Sequence, residues 1–262
     1  MELTVDDRRV FAATGGKPFD PSLPTIVFVH GASFDHTVWT LQTRYLAWHG
    51  YGVLAVDLPG HGRSEGPLLE TIPAMADWLT RLLSAAGVDK AALAGHSMGA
   101  LVALDAAARH AERVTSICLL GAGYPMRVND ALLQPAKANE HLAMDLVNSW
   151  GFGRNAQFGG HRVPGLWMMR GGLRVLEHAG DGVLFNDLNA CNAYNDGEAA
   201  AEAITCPAQF VLGEKDMMAP VKVARGLAAA MKQAETTVLK GVGHIMMEEA
   251  PDETLDAMRE FF

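Results

Sequence analysis

Short apolar runs alternate along this chain with longer stretches in which apolar residues recur every three or four positions. Thr25–Val29 (TIVFV) and Val53–Val56 are continuous apolar runs, the pattern of strands buried on both faces. The run beginning at Ala91, and Thr115–Leu120, Ala208–Leu212 and Glu235–Leu239, are further predicted strands. A helix is predicted from about Thr37 to His49, with Val38, Leu41, Tyr45 and Trp48 on one face. A second covers about Ile72 to Ala86, striped by Ile72, Met75, Leu79, Leu82 and Ala86 and stopped by Gly87. Others run to about Arg109, near Val221–Met231, and from Pro251, where Leu255, Met258 and Phe262 form the apolar face. Glu2–Val5 and Arg8–Ala13 read as a hairpin turning at Asp6-Asp7.

Regular alternation from Thr25 to Leu120 implies right-handed crossovers and parallel pairing. The expected fold class is α/β, a doubly wound, mostly parallel sheet with helices on both faces. The rhythm breaks at Gly121, is helix-leaning and glycine-rich from about Tyr124 to Ile204, and resumes at Ala208. Residues 1–123 and 205–262 are therefore expected to form one core, with 124–204 as an inserted, mainly helical cap over the strand ends. Ligands of such sheets bind at the carboxyl ends of the strands. His30-Gly31-Ala32, Asp57, Ser97 and Gly121 fall there.

Composition removes several classes of function. The formal net charge is −9 and the basic residues are scattered, which argues against nucleic acid and against a polybasic membrane surface. No apolar run approaches the roughly 18 residues that span a bilayer, and Met1–Ala13 has no signal-peptide core. Cys118, Cys191 and Cys206 are too sparse for a disulfide framework, so a reducing, cytoplasmic setting is expected. His110, His161 and His178 lack metal-ligand spacing, and neither metal nor cofactor is expected.

Candidate chemistry begins at Gly95-His96-Ser97-Met98-Gly99, where a strand turns directly into a helix. G-x-S-x-G is the spacing of a nucleophile elbow. So sharp a reversal strains the serine into φ > 0, at about 1–3 kcal/mol, and crowding favours glycine on either side. The hydroxyl then stands at a helix N-terminus, which favours negative charge. Five residues alone also describe an ordinary glycine-rich turn, so the context has to decide. A serine nucleophile needs a base, and the base needs an orienting acid. On this topology they follow in the order Ser, Asp or Glu, His, at the ends of later strands. Gly213-Glu214-Lys215-Asp216 and Gly241-Val242-Gly243-His244 follow the last two predicted strands in that order.

Together these residues resemble the α/β-hydrolase superfamily, specifically its serine esterase and lipase-like members with a cap. His30-Gly31 resembles the oxyanion loop, and Asp57–Ser64 (DLPGHGRS) is similar to the second signature loop. Gly95–Gly99 resembles the elbow, while Gly213-x-x-Asp216-x-x-x-Pro220 and Gly243-His244, with Glu249 and Pro251, resemble the acid and histidine loops. The match covers about residues 22–123 and 205–262. It implies Ser97 as nucleophile, His244 as general base and then acid, and Asp216 as the acid that holds the imidazole. It also implies an oxyanion hole built from the backbone N–H groups of Ala32 and Met98. Glu214 and Asp130 are rival acids, although Asp216 alone fits the loop pattern. Relatives that are haloalkane dehalogenases or epoxide hydrolases carry aspartate at the elbow, and Ser97 speaks against both. His30, His61 and His96 read as loop-stabilising residues, and Asp57 as a brace of its own loop.

Methionines flank every position of this set: Met98, Met217, Met218, Met246 and Met247. They either line a soft apolar acyl pocket or fill core space beneath the cap. Candidate substrate contacts are Ser33, Met217, Met246 and Trp167. Arg154, Arg162, Arg170 and Arg174 in the cap would suit a clamp on a substrate carboxylate. The expected function is cleavage of small or medium apolar carboxylic esters through an acyl-enzyme. Alternatives are a carbon–carbon bond hydrolase or enol-lactonase, and a ligand-binding protein that keeps the fold without turnover. The expected partner is a small-molecule ester alone, bound by a monomer or small homo-oligomer.

Overall fold

The computed structural model describes residues 1–160 and 167–262; His161 and Arg162 lie outside the described residues. Eight strands form one sheet: β1 (Glu2–Val5), β2 (Arg8–Ala13), β3 (Thr25–Val29), β4 (Gly52–Val56), β5 (Ala91–His96), β6 (Val114–Leu120), β7 (Ala208–Gly213) and β8 (Ala234–Leu239). Their order is β1-β2-β4-β3-β5-β6-β7-β8. β1 and β2 are an antiparallel hairpin, β2 joins β4 antiparallel, and every later pairing is parallel. Asp6 and Asp7 turn the hairpin with φ of 52° and 59°, the mirror-image geometry whose twist suits the flanking strands.

Twelve helices are present among the described residues. α1 (Thr40–Trp48), α2 (Ile72–Ala85) and α3 (Met98–Arg109) alternate with the first strands. α4 (Asp130–Lys137), α5 (His141–Gly151), α6 (Arg154–Gln157), α7 (Met168–His178), α8 (Val183–Ala193) and α9 (Gly197–Ala203) lie between β6 and β7. α10 (Val221–Ala229), α11 (Met246–Glu249) and α12 (Pro251–Phe261) complete the chain. None is long and apolar enough to cross a membrane, among the described residues.

Alternate residues of the strands feed two cores. Val27 and Val29 of β3 pack with Leu79 and Leu82 of α2 and Leu101 of α3 on one face. Ile26 and Phe28 pack with Leu46 of α1 and Met258 of α12 on the other. Leu132, Val147, Leu176 and Leu184, from four of the intervening helices, join this second core.

α1 departs from the expected stripe. Residues His36–Trp39 form a 3₁₀ turn before it, which shifts the phase of the helix. Leu41 and Trp48 are 55% and 58% exposed, and Gln42, Thr43, Leu46 and Ala47 face inward instead. Small and polar residues belong there because Gly15 presses on the Thr43 carbonyl, and Gln42 Nε2 donates to the Met247 carbonyl at 3.0 Å. The α2 stripe is buried as expected, and Gly87 ends that helix with φ of 72°.

β3 leads through α1 to β4 on one side, whereas β5 leads through α3 to β6 on the other. The loops leaving the carboxyl ends of these neighbours therefore diverge, and a crevice opens between them.

Candidate active site

Ser97 stands at that crevice. β5 is buried along its length and α3 follows at once, so the chain reverses in one residue. Ser97 takes φ 54° and ψ −114°, the strained conformation that the spacing predicts. Its N–H donates to the Leu120 carbonyl at 2.9 Å, which ties the turn to β6. Met98 opens α3, where first-turn N–H groups lack intrahelical partners.

His244 and Asp216 come together from the ends of β8 and β7. His244 Nδ1 lies 2.7 Å from Asp216 Oδ2, and both side chains are buried. Asp216 Oδ1 accepts from the Met218 and Ala219 N–H groups at 2.8 Å each. A carboxylate oriented by those donors accepts the Nδ1 proton, which assigns the lone pair to Nε2. Nε2 is buried and makes no hydrogen bond. Gly121, with φ of 55° at the end of β6, lets the ring approach; a Cβ there would lie 2.9 Å from His244 Nδ1. The rival acids stand elsewhere. Glu214 is half-exposed and accepts from the Gly241 N–H at 3.0 Å, and Asp130 is exposed at the start of α4.

The histidine loop is also held by the segment after α5. The His244 N–H donates to the Gly151 carbonyl at 2.7 Å. Glu249 Oε2 accepts from the Gly153 and Gly243 N–H groups, each at 3.0 Å. His96 Nε2 donates to the His244 carbonyl at 2.9 Å, so its Nδ1 carries a buried lone pair without a partner. Burial and the nearby His244 push the His96 ring well below the usual imidazole range.

On the opposite side of Ser97 runs the loop after β3. A Cβ on Gly31 would lie 3.3 Å from Ser97 Cβ, so the two backbones touch. The Leu58 N–H donates to His30 Nε2 at 3.1 Å, which leaves His30 Nδ1–H to donate to the Gly31 carbonyl at 2.8 Å. Burial and the nearby His61 push the His30 ring down to about 4, which keeps it neutral. Ser33 has φ of 60° and sends its N–H to Asp187 Oδ2 at 2.8 Å. Asp57 braces its loop by accepting from the His36 and Arg63 N–H groups and from His36 Nδ1. Asp35, His36 and Asp57 are the group of ligand-type atoms that gathers among the described residues.

A cavity of about 120 Å³ joins these parts. Ala32, His96, Ser97 and His244 line it from the strand-end loops, and Leu132, Val147, Trp150 and Leu188 line it from α4, α5 and α8. Met217 lines it. Ser33, Met246 and Trp167 do not. Ser33 is buried with its N–H turned to Asp187, Met246 is fully buried in the second core, and Trp167 is 60% exposed at the start of α7. Arg154, Arg170 and Arg174 are likewise absent from the wall, and Arg174 pairs with Glu177 instead. The arginine that lines the cavity is Arg127, in the loop before α4, a residue that no spacing in the sequence marks.

Glu248 follows the histidine loop, and burial beside Glu249 pushes its carboxyl up to about 7. The folded state therefore binds its proton more tightly than the unfolded chain, whose carboxyl titrates near 4.5. Stability is full below that value and falls as the pH rises through about 7. Glu248→Gln is expected to be more stable than wild type by about 1–3 kcal/mol at pH 8. Thermal melts at pH 8 and pH 4.5 check this, and the difference should vanish at the lower pH.

The geometry has relatives. A curated (E)-2-((N-methylformamido)methylene)succinate hydrolase of Acinetobacter baylyi is 24% identical over 242 residues, covering 89% of this chain and 88% of its own. An enol-lactonase from Burkholderia xenovorans superposes with a TM-score of 0.88 at 24% identity, over 100% of this chain and 99% of that one. An esterase from Exiguobacterium antarcticum gives 0.85 at 18% identity, over 100% and 98%. Identities this low carry the fold alone. The model of the alpha/beta hydrolase family, in contrast, matches residues 26–257, the six strands from β3 to β8 and the helices between them, and the chain belongs to that family.

Proposed function

We propose that this hydrolase cleaves small carboxylic esters by a Ser97-His244-Asp216 triad. The observation that carries the reading is the 2.7 Å Asp216–His244 hydrogen bond, which leaves His244 Nε2 unpartnered beside the cavity that Ser97 lines. His244 takes the Ser97 proton as Oγ attacks the ester carbonyl. The N–H groups of Ala32 and Met98 receive the oxyanion, and His244 then protonates the departing alcohol. Water repeats the cycle on the acyl-enzyme. Residues 124–204 act as the cap, and the small, largely apolar cavity favours short acyl chains. Three unpaired cysteines favour a cytoplasmic setting.

A p-nitrophenyl ester series from acetate to long acyl chains tests this. A burst followed by steady turnover is expected, with the optimum at short chains. Absence of turnover across the series would remove the esterase reading.

A second reading has its own support. Arg127 donates to the Asn192 carbonyl and Asn195 Oδ1, both neutral, and forms no ion pair among the described residues. Its charge favours an ester or lactone that carries a carboxylate, and one similar structure is an enol-lactonase. Arg127→Met is expected to raise KM about tenfold for a carboxylate-bearing ester. KM for a neutral ester should change less than twofold. Equal effects on both substrates would discard the carboxylate clamp.

A further inference from the structure

Asp187 belongs to α8, among the helices inserted after β6, yet it reaches a loop 154 positions earlier in the chain. It is 0% exposed. Its Oδ2 lies 2.8 Å from two donors, the Ser33 N–H and His61 Nε2. Oδ1 accepts from Asn186 Nδ2 at 3.1 Å. The other ring nitrogen of His61, Nδ1, faces the Pro59 carbonyl at 3.1 Å. A carboxylate and a carbonyl only accept, so both nitrogens of His61 donate and the ring is an imidazolium. Burial opposes that charge, but the Asp187 carboxylate outweighs it and holds His61 above the usual imidazole range. The pair also faces the neutral His30 ring, 4.9 Å from His61, and Asp57.

This buried pair closes on one short stretch of backbone. The Gly31 carbonyl and the Ala32 N–H belong to the same peptide, and a trans peptide points them in opposite directions. His30 Nδ1–H and the Phe34 N–H both donate to the Gly31 carbonyl, at 2.8 and 3.2 Å, which aims the Ala32 N–H away from them. Asp187 holds the next N–H, that of Ser33. Ser33 sits at φ 60°, a conformation that persists only where surroundings impose it. The Phe34 N–H closes a turn on the Gly31 carbonyl at 3.2 Å with Ser33 at its third position, and Asp187 accepts the N–H that this turn leaves pointing outward.

We infer that Asp187 is a positioning residue for the oxyanion hole: by fixing the Ser33 N–H against the His61 imidazolium, it braces the Gly31–Phe34 turn that directs the Ala32 N–H. This rests on the esterase reading and deepens it. The inserted helices then wall the cavity and also complete the machinery that stabilises the tetrahedral intermediate. A loop that relaxes without Asp187 still admits the planar ester but no longer meets the oxyanion. The loss should therefore fall on kcat and spare KM.

The test compares wild type, Asp187→Ala, Asp187→Asn and the double variant Asp187→Ala/His61→Ala, on p-nitrophenyl acetate. The double variant leaves no unpaired buried cation, which guards against simple unfolding of the single one. Asp187→Ala and the double variant are expected to lose about a hundredfold in kcat, the scale of one oxyanion donor, with KM within threefold. Asp187→Asn keeps an oxygen for Ser33 and should retain most of the activity. Affinity for a trifluoromethyl ketone, which binds Ser97 as a tetrahedral adduct, should fall in parallel with kcat. A folded double variant with wild-type kcat overturns the inference, as does a loss of kcat without loss of ketone affinity. A wild type that turns over no ester overturns the esterase reading itself, and the inference with it.

Discussion

Ser97→Ala is expected to lower kcat for a p-nitrophenyl ester by about 10⁶, with KM changed little. In the proposed mechanism the Ser97 Oγ is the one protein atom that bonds to the substrate, and among the described residues the cavity wall offers no neighbour to replace it. Cys191, the thiol in the same wall, is buried, and burial drives its titration far above the physiological range. The acyl-enzyme burst should disappear with the steady rate. Some acceleration over water should survive, on the order of 10³, because backbone donors remain in place. The fold should survive as well, since the turn is held by the Ser97 N–H on the Leu120 carbonyl and not by the hydroxyl. Pre-steady-state absorbance on freshly purified protein measures both phases. Retention of more than a few per cent of wild-type kcat would rule out Ser97 as the nucleophile.

Gly99→Ala is expected to cost at least about 3 kcal/mol and to yield little folded protein. A Cβ at Gly99 would lie 2.2 Å from the Val29 carbonyl oxygen and 2.6 Å from that of His30. Neither oxygen can retreat, because β3 is paired on both sides, to β4 and to β5. Gly95 is no more forgiving, for its Cβ would lie 2.1 Å from the Gly99 carbonyl oxygen. Gly226→Ala in α10 is the control: nothing lies within 4 Å of its Cβ, and the change should stabilise by up to about 1 kcal/mol. Denaturant midpoints of the three proteins give the comparison. A Gly99→Ala variant as stable as wild type would mean that the elbow tolerates a wider turn than its packing implies.

What the sequence made legible follows from the range of each interaction. The central strands are runs of apolar residues because both faces are buried, so each declares itself locally. Ser97, Asp216 and His244 are legible because each sits in a glycine-marked loop at a strand end, where backbone crowding restricts the neighbours. The inward face of α1 was not, because a 3₁₀ turn shifted its phase and a polar residue, Gln42, found a partner some 200 positions away. Asp187 is one acidic residue in a helical stretch, and nothing near it in sequence distinguishes it from a solvated one. Arg127 lies in an irregular loop without periodicity. Met246 and Trp167 have the right chemistry for a pocket, but side-chain direction is set by packing that no local pattern carries.

Staples join the insertion to the sheet loops, among them the Gly151 carbonyl to His244, the Gly153 N–H to Glu249, Asp187 to Ser33 and His61, and Asn186 to Leu69. An insertion transplanted from another member of the family would have to supply an equivalent of each, or the proposed catalytic loops would lose their support. Residues 126–132 carry none of these, yet Met126, Arg127, Val128, Asn129 and Leu132 all face the cavity. Selection for a new substrate can rewrite Met126, Arg127 and Val128, while Asn129 caps α4 and Leu132 packs in the second core, and libraries built there should diversify specificity with every staple in place.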